Sequence, residues 1–271
     1  MTKLFTANKS WMYELFDEVK KRGLKFPWRC LGRVGTVKYE DLVKIRENGC
    51  YIIAFGIEAG NEDVRIDIGR KMTNLDIKRT FSDAKRAGLV TYAFNMINHR
   101  LDTLDTIRET FNLMCEVNAC FSPVFVCSPL PGSKLHKLLP DDVKYDWEKF
   151  NSYRDFERYP ISISSIPEKN LIMIADQMES FYYSRLGYLY ENVLMGRTTL
   201  KMKKNMFKLW IGYFFAGRLK YMAKEGFLLA GEKPLKIKNF VYRIMFGIFK
   251  GLIGIFKNYP VFKVIYKKIN L

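Results

Sequence analysis

The chain has 271 residues, 48% of them hydrophobic and 15% aromatic, which is enough for a buried core and excludes a disordered protein. Five cysteines at irregular spacings, and an N-terminal sequence without a signal pattern, predict a reducing cytoplasmic environment. No uninterrupted apolar run in the sequence is long enough to cross a bilayer.

The net charge of +17 is unevenly distributed along the chain. Residues 1–192 carry 28 Lys and Arg against 26 Asp and Glu, whereas residues 193–271 carry 17 against 2. The first part therefore has the charge balance of an ordinary domain, and the basic character belongs to a C-terminal segment.

Strand-like and helix-like segments alternate over the first 127 residues. A strand tail at 4–6 and a helix around 12–19 are followed by predicted strands at 26–34, 51–55, 89–97 and 121–127, with helices at 39–48, 74–87 and 102–117 between them. Such alternation predicts parallel strands covered by helices. Four strands and a fragment are too few for a barrel of about eight, so the pattern predicts a partial barrel in a chain that begins inside a domain.

The stretch 51–73 contains the most informative turn. An apolar run without alternation predicts a strand buried on both faces, and it ends in a Gly-x-Glu-x-Gly turn that places Glu58 between Gly56 and Gly60. Ligands bind at the carboxyl edge of parallel sheets, where this turn would lie. One acid between two glycines is a weak signal by itself.

The alternation stops after residue 140. Residues 141–167 are rich in aromatic side chains, residues 168–195 have helical periodicity, and basic segments follow at 200–224 and 236–271. We therefore predict three parts: a partial barrel at 1–140, a helical and aromatic extension at 141–195, and a basic amphipathic helical tail at 196–271.

Four motifs occur in a characteristic order: PWRCLGRV at 27–34, AFGIEAGNEDV at 54–64, IGRKMTNLDIKRTFSDAKRAGL at 68–89 and SPLPGSKLH at 128–136. With them, residues 5–135 resemble the radical S-adenosylmethionine (radical SAM) enzymes. The resemblance covers about half of the chain and is strongest to the cobalamin-associated Fe–S oxidoreductases and methylases.

This resemblance implies an α/β fold, namely a partial parallel (β/α) barrel of about four to five βα units followed by a helical C-terminal region. It also implies that S-adenosylmethionine binds against a [4Fe–4S] cluster and is cleaved to a radical that abstracts hydrogen from an organic substrate. Glu58 matches the strand-end glutamate that hydrogen-bonds S-adenosylmethionine in the family. Gly56, Arg33 and Asn95 complete the predicted cofactor-binding set.

Two departures from the family pattern are equally informative. The family holds its cluster with a Cys-x3-Cys-x2-Cys motif that this sequence lacks, so we predict no metal ligands and no activity of this chain alone. The Gly/Pro turn expected after Ile97 has become Asn98-His99-Arg100-Leu101, which we expect to lose the shape of the family's turn. The chain thus resembles the C-terminal part of a longer enzyme, whose full-length relative would also bind cobalamin.

Simpler interpretations of the site residues remain open at this stage. Glu58 would also suit a helix cap or an ion pair with Arg33 or Arg65, and Arg33 would also suit an ordinary surface position. Asn95 would also suit a structural hydrogen bond. The cysteines have the character of small buried apolar residues. A non-catalytic binding protein or a peripheral membrane protein derived from the same fold is the alternative function.

The tail has a pattern typical of helices at membrane surfaces. On a helix, Lys236, Arg243, Lys250 and Lys257 form one basic stripe opposite an apolar face of Val241, Met245, Ile248, Leu252 and Phe256. We therefore predict that residues 196–271 dock on an anionic membrane surface, at the inner membrane face, which would favour a lipid over another small-molecule substrate. A solvated helical cap is one alternative. Nucleic-acid binding is less favoured, because the tail is more apolar than a phosphate-binding arm requires.

Overall fold

The computed structural model describes residues 4–139, 161–196 and 198–218. The chain divides into two compact units, Met1–Ile172 and Met173–Leu271. The first unit contains one sheet of parallel strands in the order β1-β2-β3-β4, with β1 at Trp28–Gly32, β2 at Cys50–Glu58, β3 at Val90–Ile97 and β4 at Val124–Val126. The predicted α/β fold with parallel strands is confirmed, whereas the three-part division of the sequence stays a prediction.

Five α-helices of the first unit are α1 (Lys9–Lys21), α2 (Tyr39–Glu47), α3 (Glu62–Asp67), α4 (Asn74–Arg86) and α5 (Leu104–Val117). Side-chain caps define the starts of α1, α3, α4 and α5: for example, the Asn8 side chain accepts from the Trp11 amide, and the Thr73 side chain accepts from the Asp76 amide. The strand tail predicted at 4–6 is wrong. Phe5–Ala7 forms a 3₁₀ turn, in which the Phe5 ring packs 4.9 Å from that of Trp28 and the Thr6 hydroxyl accepts from the Arg33 amide at 2.9 Å.

The two faces of the sheet differ in what covers them. Ile53, Phe55 and Ile57 alternate along β2 and belong to one buried cluster with Leu42 of α2 and Phe81 of α4. Each side chain of this kind contributes about 1.5–3 kcal/mol when it is fully buried. The other face lines a cavity, which is described below with the candidate site.

The second unit contains the helical C-terminal region that the sequence predicts. Helix α6 (Glu168–Tyr183) leads into it, and α7 (Leu186–Tyr188) continues as a π-helical segment, Leu189–Leu194. Helix α8 (Leu200–Gly212) continues in the same way into Tyr213–Arg218. The single helix predicted at 168–195 is therefore two helical stretches, because the backbone of Arg185 is extended.

No helix among the described residues is long and apolar enough to cross a membrane. Of the aromatic segment predicted at 141–167, residues 141–160 lie outside the described residues, and so does the basic stripe predicted between Lys236 and Lys257.

Candidate functional site

Strand β2 ends in a left-handed residue. Glu58 has φ 66°, and the pairing of β2 with β3 shifts register between Gly56 and Glu58. The side chain of Glu58 turns back over Gly56, because a Cβ atom built on Gly56 would collide with the Glu58 Oε1 atom. Gly56 pairs with Phe94, which lines the cavity, so the carboxylate lies on the cavity side of the sheet.

The Glu58 carboxylate is largely buried and only half paired. Its side chain is 20% exposed, and Oε1 accepts a hydrogen bond from Arg70 Nη2 at 3.2 Å. Burial raises the pKa of Glu58, and the charge and hydrogen bond of Arg70 partly oppose that shift. Oε2 has no hydrogen-bond partner in the described part of the chain. An ionised carboxylate accepts only, so this free oxygen is suited to a donor such as an ammonium or a hydroxyl group.

The loop that supplies Arg70 is held by a fully buried arginine. Arg65 of α3 donates to the Ala59 carbonyl, to the Met72 carbonyl at 3.1 Å and to the Glu62 carboxylate at 3.3 Å. Burial lowers the pKa of Arg65, yet guanidinium groups stay protonated in proteins. Arg65 thus fixes both ends of the loop between β2 and α4.

The same loop approaches α5 closely. The Gly60 amide donates to Thr110 Oγ1 at 2.8 Å, and a Cβ atom on Gly60 would collide with the Glu109 backbone. Asn61 caps α3 by accepting from the Val64 amide at 3.1 Å. The cap of this helix is therefore Asn61, and the partner of Glu58 is Arg70 rather than Arg33 or Arg65.

Strand β3 ends in a second left-handed residue that connects three segments. Asn98 has φ 73° and is fully buried. Its Nδ2 donates to the carbonyls of Cys127, at 2.8 Å, and Ile161, at 2.9 Å, while its Oδ1 accepts from the Ile163 amide and the Ser164 hydroxyl. Asparagine tolerates the left-handed region better than other non-glycine residues, so the turn after Ile97 is ordered by side-chain bonds.

A hydrogen-bonded group of polar side chains follows Asn98. His99 is 2% exposed; its Nδ1 accepts from the Leu101 amide, which leaves the proton on Nε2 to donate to Asp67 Oδ2 at 2.9 Å. Asp67 also binds Arg100, whose hydrogen bond lowers the pKa of Asp67. The arrangement ties α3 to the end of β3.

Asp102 and Cys127 are the other ionisable groups at this edge. Asp102 is 2% exposed and accepts from the His99 amide at 2.8 Å and the Thr106 hydroxyl at 3.0 Å. Burial raises the pKa of Asp102. Burial and the charges of Asp102 and Glu58 raise the pKa of Cys127 to about 11, so its thiol is protonated at neutral pH.

The five cysteines do not form a cluster site. The thiols of Cys30 and Cys50 lie 3.8 Å apart, with Cys30 on β1 and Cys50 on β2, and they share a hydrogen bond. Within the described ranges, which include all five cysteines, no group of three or more His, Cys, Asp or Glu side chains is placed to hold a metal ion. A [4Fe–4S] cluster needs three converging thiolates, so the residues present do not fit it.

The face of the sheet opposite the buried side chains of Ile53, Phe55 and Ile57 lines a cavity of about 590 Å³, a volume within the range of small-molecule sites. Three of its aromatic rings are close neighbours: Tyr92 lies 4.9 Å from Phe94 and 5.8 Å from Phe121. The remaining lining residues are Arg29, Cys30, Leu31, Ile52 and Ala54. Arg29 is the one charged residue among the described residues of this lining.

The structure brings together two of the four predicted cofactor residues, Glu58 and Gly56, on the cavity side. Arg33 directly follows β1, and its exposed guanidinium has no partner among the described residues. Asn95 lies on the face of β3 opposite Phe94, and its Nδ2 donates to Ser122 Oγ at 2.9 Å and the Pro123 carbonyl at 3.0 Å. Its Oδ1 is buried and has no partner in the described residues. Cofactor binding by these four residues stays a prediction.

Sequence reasoning missed Arg70 and Asp102 at this edge, and it named Arg65 and Asn98 without the contacts that the structure gives them. Asn98 carried a usable signal, because asparagine directly after an apolar strand is typical of a left-handed turn. The alternation of Thr91, Ala93 and Asn95 along β3 would also have placed Asn95 away from the cavity. The partner of Glu58 had no comparable signal, because it depends on the path of the loop after β2.

Comparisons with known proteins agree with the resemblance seen in the motifs. No family model matches the chain. It is 24% identical over 131 residues to an uncharacterised methyltransferase of Pyrococcus horikoshii. This match covers 48% of this chain and 28% of that protein. It is 27% identical over 150 residues to the anaerobic magnesium-protoporphyrin IX monomethyl ester cyclase of Rubrivivax gelatinosus. This match covers 54% of this chain and 27% of the cyclase. The chain thus matches only about a quarter of the length of these relatives.

Two solved structures are also similar. The radical S-adenosylmethionine methyltransferase TsrM of Kitasatospora setae, with cobalamin and a [4Fe–4S] cluster bound, matches with a TM-score of 0.41 and 14% identity over 46% of this chain and 26% of that one. The radical SAM enzyme HemN, coproporphyrinogen III oxidase of Escherichia coli, matches with a TM-score of 0.42 and 18% identity over 46% of this chain and 30% of that one. The predicted resemblance to radical SAM enzymes is confirmed as a likeness.

Proposed function

We propose that this chain is a radical SAM-related protein that binds S-adenosylmethionine at the carboxyl edge of its sheet and builds no [4Fe–4S] cluster from its own cysteines. One observation carries the proposal: the largely buried Glu58 carboxylate keeps one oxygen free at the edge where parallel sheets bind ligands. The ammonium and the ribose hydroxyls of S-adenosylmethionine are donors of the kind this oxygen accepts.

Gly56 and Arg70 prepare that carboxylate for a ligand. Gly56 leaves the space into which the Glu58 side chain turns, and Arg70 holds Oε1. Because burial disfavours the charged carboxylate, a cationic or hydroxyl donor at Oε2 would stabilise it more than it would stabilise a solvated glutamate. The residues present therefore fit the methionine or ribose part of this cofactor.

The cavity supports an apolar organic substrate on the same face of the sheet. Its aromatic row of Tyr92, Phe94 and Phe121 suits a flat or aliphatic molecule, and Arg29 suits one anionic group on it. A lipid or another small molecule of this chemistry is the substrate class that we propose. Radical modification of it would require cluster ligands that these five cysteines do not supply.

Binding of radiolabelled S-adenosylmethionine in equilibrium dialysis tests the cofactor proposal. A charge-assisted hydrogen bond contributes about 1.5–3 kcal/mol, so we expect Glu58→Gln to weaken binding at least about tenfold. Glu18→Gln is the matched control, because Glu18 also pairs with an arginine, Arg22, but on the surface of α1. Equal affinity of wild type and Glu58→Gln would overturn the proposal.

Anaerobic reconstitution with iron and sulfide tests the second half of the proposal. We expect no four-iron absorption from this chain, because no three of its thiols converge. A stoichiometric cluster would overturn that expectation.

A non-catalytic binding protein derived from the same fold is the second candidate function. It is favoured by the turn at Asn98, where side-chain hydrogen bonds order a segment that the family builds with glycine and proline. The two candidates differ in one measurement. With dithionite and a cluster-bearing partner protein added, the first candidate would cleave S-adenosylmethionine, whereas a non-catalytic protein would bind it without cleaving it.

A further inference from the structure

A row of exposed apolar side chains runs along the second unit. Leu186, Tyr190 and Leu194 recur every four residues along α7 and its π-helical continuation, and they are 75%, 58% and 57% exposed. Met195, at the end of the row, is 64% exposed. Isolated exposed apolar residues are ordinary, but four on neighbouring turns require an explanation.

The first half of α8 extends this surface. The ammonium group of Lys203 donates to the Leu194 carbonyl at 2.8 Å, which holds α8 beside the end of the row. Leu200 and Phe207, one on each side of Lys203 and both exposed, add two further apolar side chains on α8. We call the six residues Leu186, Tyr190, Leu194, Met195, Leu200 and Phe207 the apolar row.

Positive charge surrounds the apolar row. Residues 186–218 contain six Lys and Arg and a single acid, Glu191. Lys201 and Lys204 are exposed on the same turns of α8 that carry Leu200 and Phe207. Large apolar side chains and exposed cations therefore occupy one stretch of surface.

We propose that this surface docks on an anionic lipid bilayer, with the apolar row in the interface and the lysines on lipid phosphates. The combination is what a bilayer surface accepts, because acyl chains take up apolar side chains while anionic headgroups attract nearby lysines. Nucleic acid would satisfy the lysines but would leave the leucines in water. The proposal is independent of the cofactor site, and it places the docking surface partly ahead of residue 196.

Flotation with vesicles tests the proposal on the full chain. The triple variant Leu186→Ser/Tyr190→Ser/Leu194→Ser removes apolar contact, and we expect its partition coefficient onto vesicles of phosphatidylcholine and phosphatidylglycerol to fall at least tenfold. Leu75→Ser is the matched control, because Leu75 is also 75% exposed but is the one exposed large apolar residue of α4, and the exposed Lys78 and Arg79 beside it pair with Glu116 and Asp83. We expect this control to partition like the wild type.

The electrostatic part is tested with Lys201→Gln/Lys204→Gln. We expect at least a fivefold loss of partition onto the anionic vesicles at about 0.1 M salt, a smaller loss at about 0.5 M, and weak partition of all variants onto phosphatidylcholine alone. Lys20→Gln/Lys21→Gln on α1 is the control, because both lysines are exposed in the first unit.

Tryptophan fluorescence of single variants tests the apolar row without relying on the folding of the triple variant. When anionic vesicles are added, Tyr190→Trp should show a larger blue shift of tryptophan emission than the wild type, whose four tryptophans include Trp210 of α8, whereas Leu75→Trp should shift no more than the wild type. The proposal is overturned if the triple variant partitions like the wild type, or if Tyr190→Trp shifts no more than the wild type. It is also overturned if Lys201→Gln/Lys204→Gln loses affinity for a single-stranded oligonucleotide but not for vesicles.

Discussion

Glu58 and Asp67 are two carboxylates at the carboxyl edge of the sheet, and their surroundings shift their pKa values in opposite directions. Burial raises the pKa of Glu58, whereas the hydrogen bond from Arg100 lowers the pKa of Asp67. The difference arises because Glu58 turns into the sheet and Asp67 stands at the end of α3 beside a guanidinium. These two residues should therefore affect stability oppositely as the pH changes.

Glu58→Gln should gain stability relative to the wild type as the pH rises. The raised pKa means that the folded state holds the Glu58 proton more tightly than the unfolded state does. The cost of burying the charged carboxylate is absent below the pKa that Glu58 has in the unfolded state. It is complete above the pKa that Glu58 has in the folded state. Urea unfolding at pH 4.5 and pH 7.5 measures the change. Asp67→Asn should show the opposite trend below about pH 4.5, because the lowered pKa of Asp67 acts only there. The same trend in both variants would contradict the assigned surroundings.

Asn98 should be hard to replace for two separable reasons. Asn98→Gly keeps the left-handed backbone but loses the hydrogen bonds to Cys127 and Ile161, and we expect a loss of about 2 kcal/mol in the free energy of unfolding. Asn98→Ala loses the bonds and also strains the backbone, which costs about 1 kcal/mol more. Chemical denaturation of the two variants checks the order, and equal stabilities would show that the backbone angle does not matter.

At the scale of elements, the loop between β2 and α4 is fixed at both ends by different means. Arg65 fills its interior, and Gly60 lets it approach α5. This loop carries Arg70 to Glu58, so the geometry of the candidate site depends on residues that do not touch the ligand position.

Arg65→Met should destabilise the first unit. The Ala59 and Met72 carbonyls would lose their donors, and a buried unsatisfied carbonyl costs about 1–3 kcal/mol, so we expect a loss of about 2–4 kcal/mol. Arg65→Lys should recover little of the lost free energy of unfolding, because an ammonium group does not reproduce the planar, diverging N–H donors of a guanidinium. Urea unfolding measures both variants, and a stable Arg65→Lys protein would contradict this account.

Gly60→Ala and Gly56→Ala should separate stability from binding. The added methyl at Gly60 meets the Glu109 backbone, which cannot move alone, so a loss of about 1–3 kcal/mol is expected. The methyl at Gly56 meets the flexible end of Glu58, so stability should change by less than about 1 kcal/mol while S-adenosylmethionine affinity falls. Thermal unfolding and equilibrium dialysis on both variants distinguish these outcomes. Strong binding by Gly56→Ala would show that the carboxylate position is unimportant.

At the scale of the whole molecule, the sequence predicts the order of the elements better than their contacts. The four strands and Glu58 at the end of β2 follow from apolar runs and glycines, which are local signals. The pairing of Glu58 with Arg70 and the 3.8 Å approach of Cys30 and Cys50 depend on loop paths and strand register, which no local pattern encodes. The sequence also allowed an ion pair between Glu58 and Arg65. In the structure Arg65 donates to backbone carbonyls and to Glu62 instead.

The five thiols of the chain should respond unequally to oxidation. The thiols of Cys30 and Cys50 lie 3.8 Å apart and share a hydrogen bond, and this contact lowers the pKa of Cys50. We expect mild diamide treatment to form one intramolecular disulfide between them, detected by peptide mass mapping. Cys115→Ser should leave that product unchanged, and Cys30→Ser should abolish it. A disulfide that involves Cys127 would contradict the arrangement.

The folding of Glu58 over Gly56 has a consequence for how this protein can change during evolution. Gly56, Glu58 and Arg70 form one unit, because the carboxylate occupies the space that any side chain at 56 would need and Arg70 holds it there. A lineage that replaces Gly56 must give up the position of Glu58, and Arg70 then loses its partner. We therefore expect these three positions to be exchanged together among homologous chains, even though 14 positions separate the first from the last.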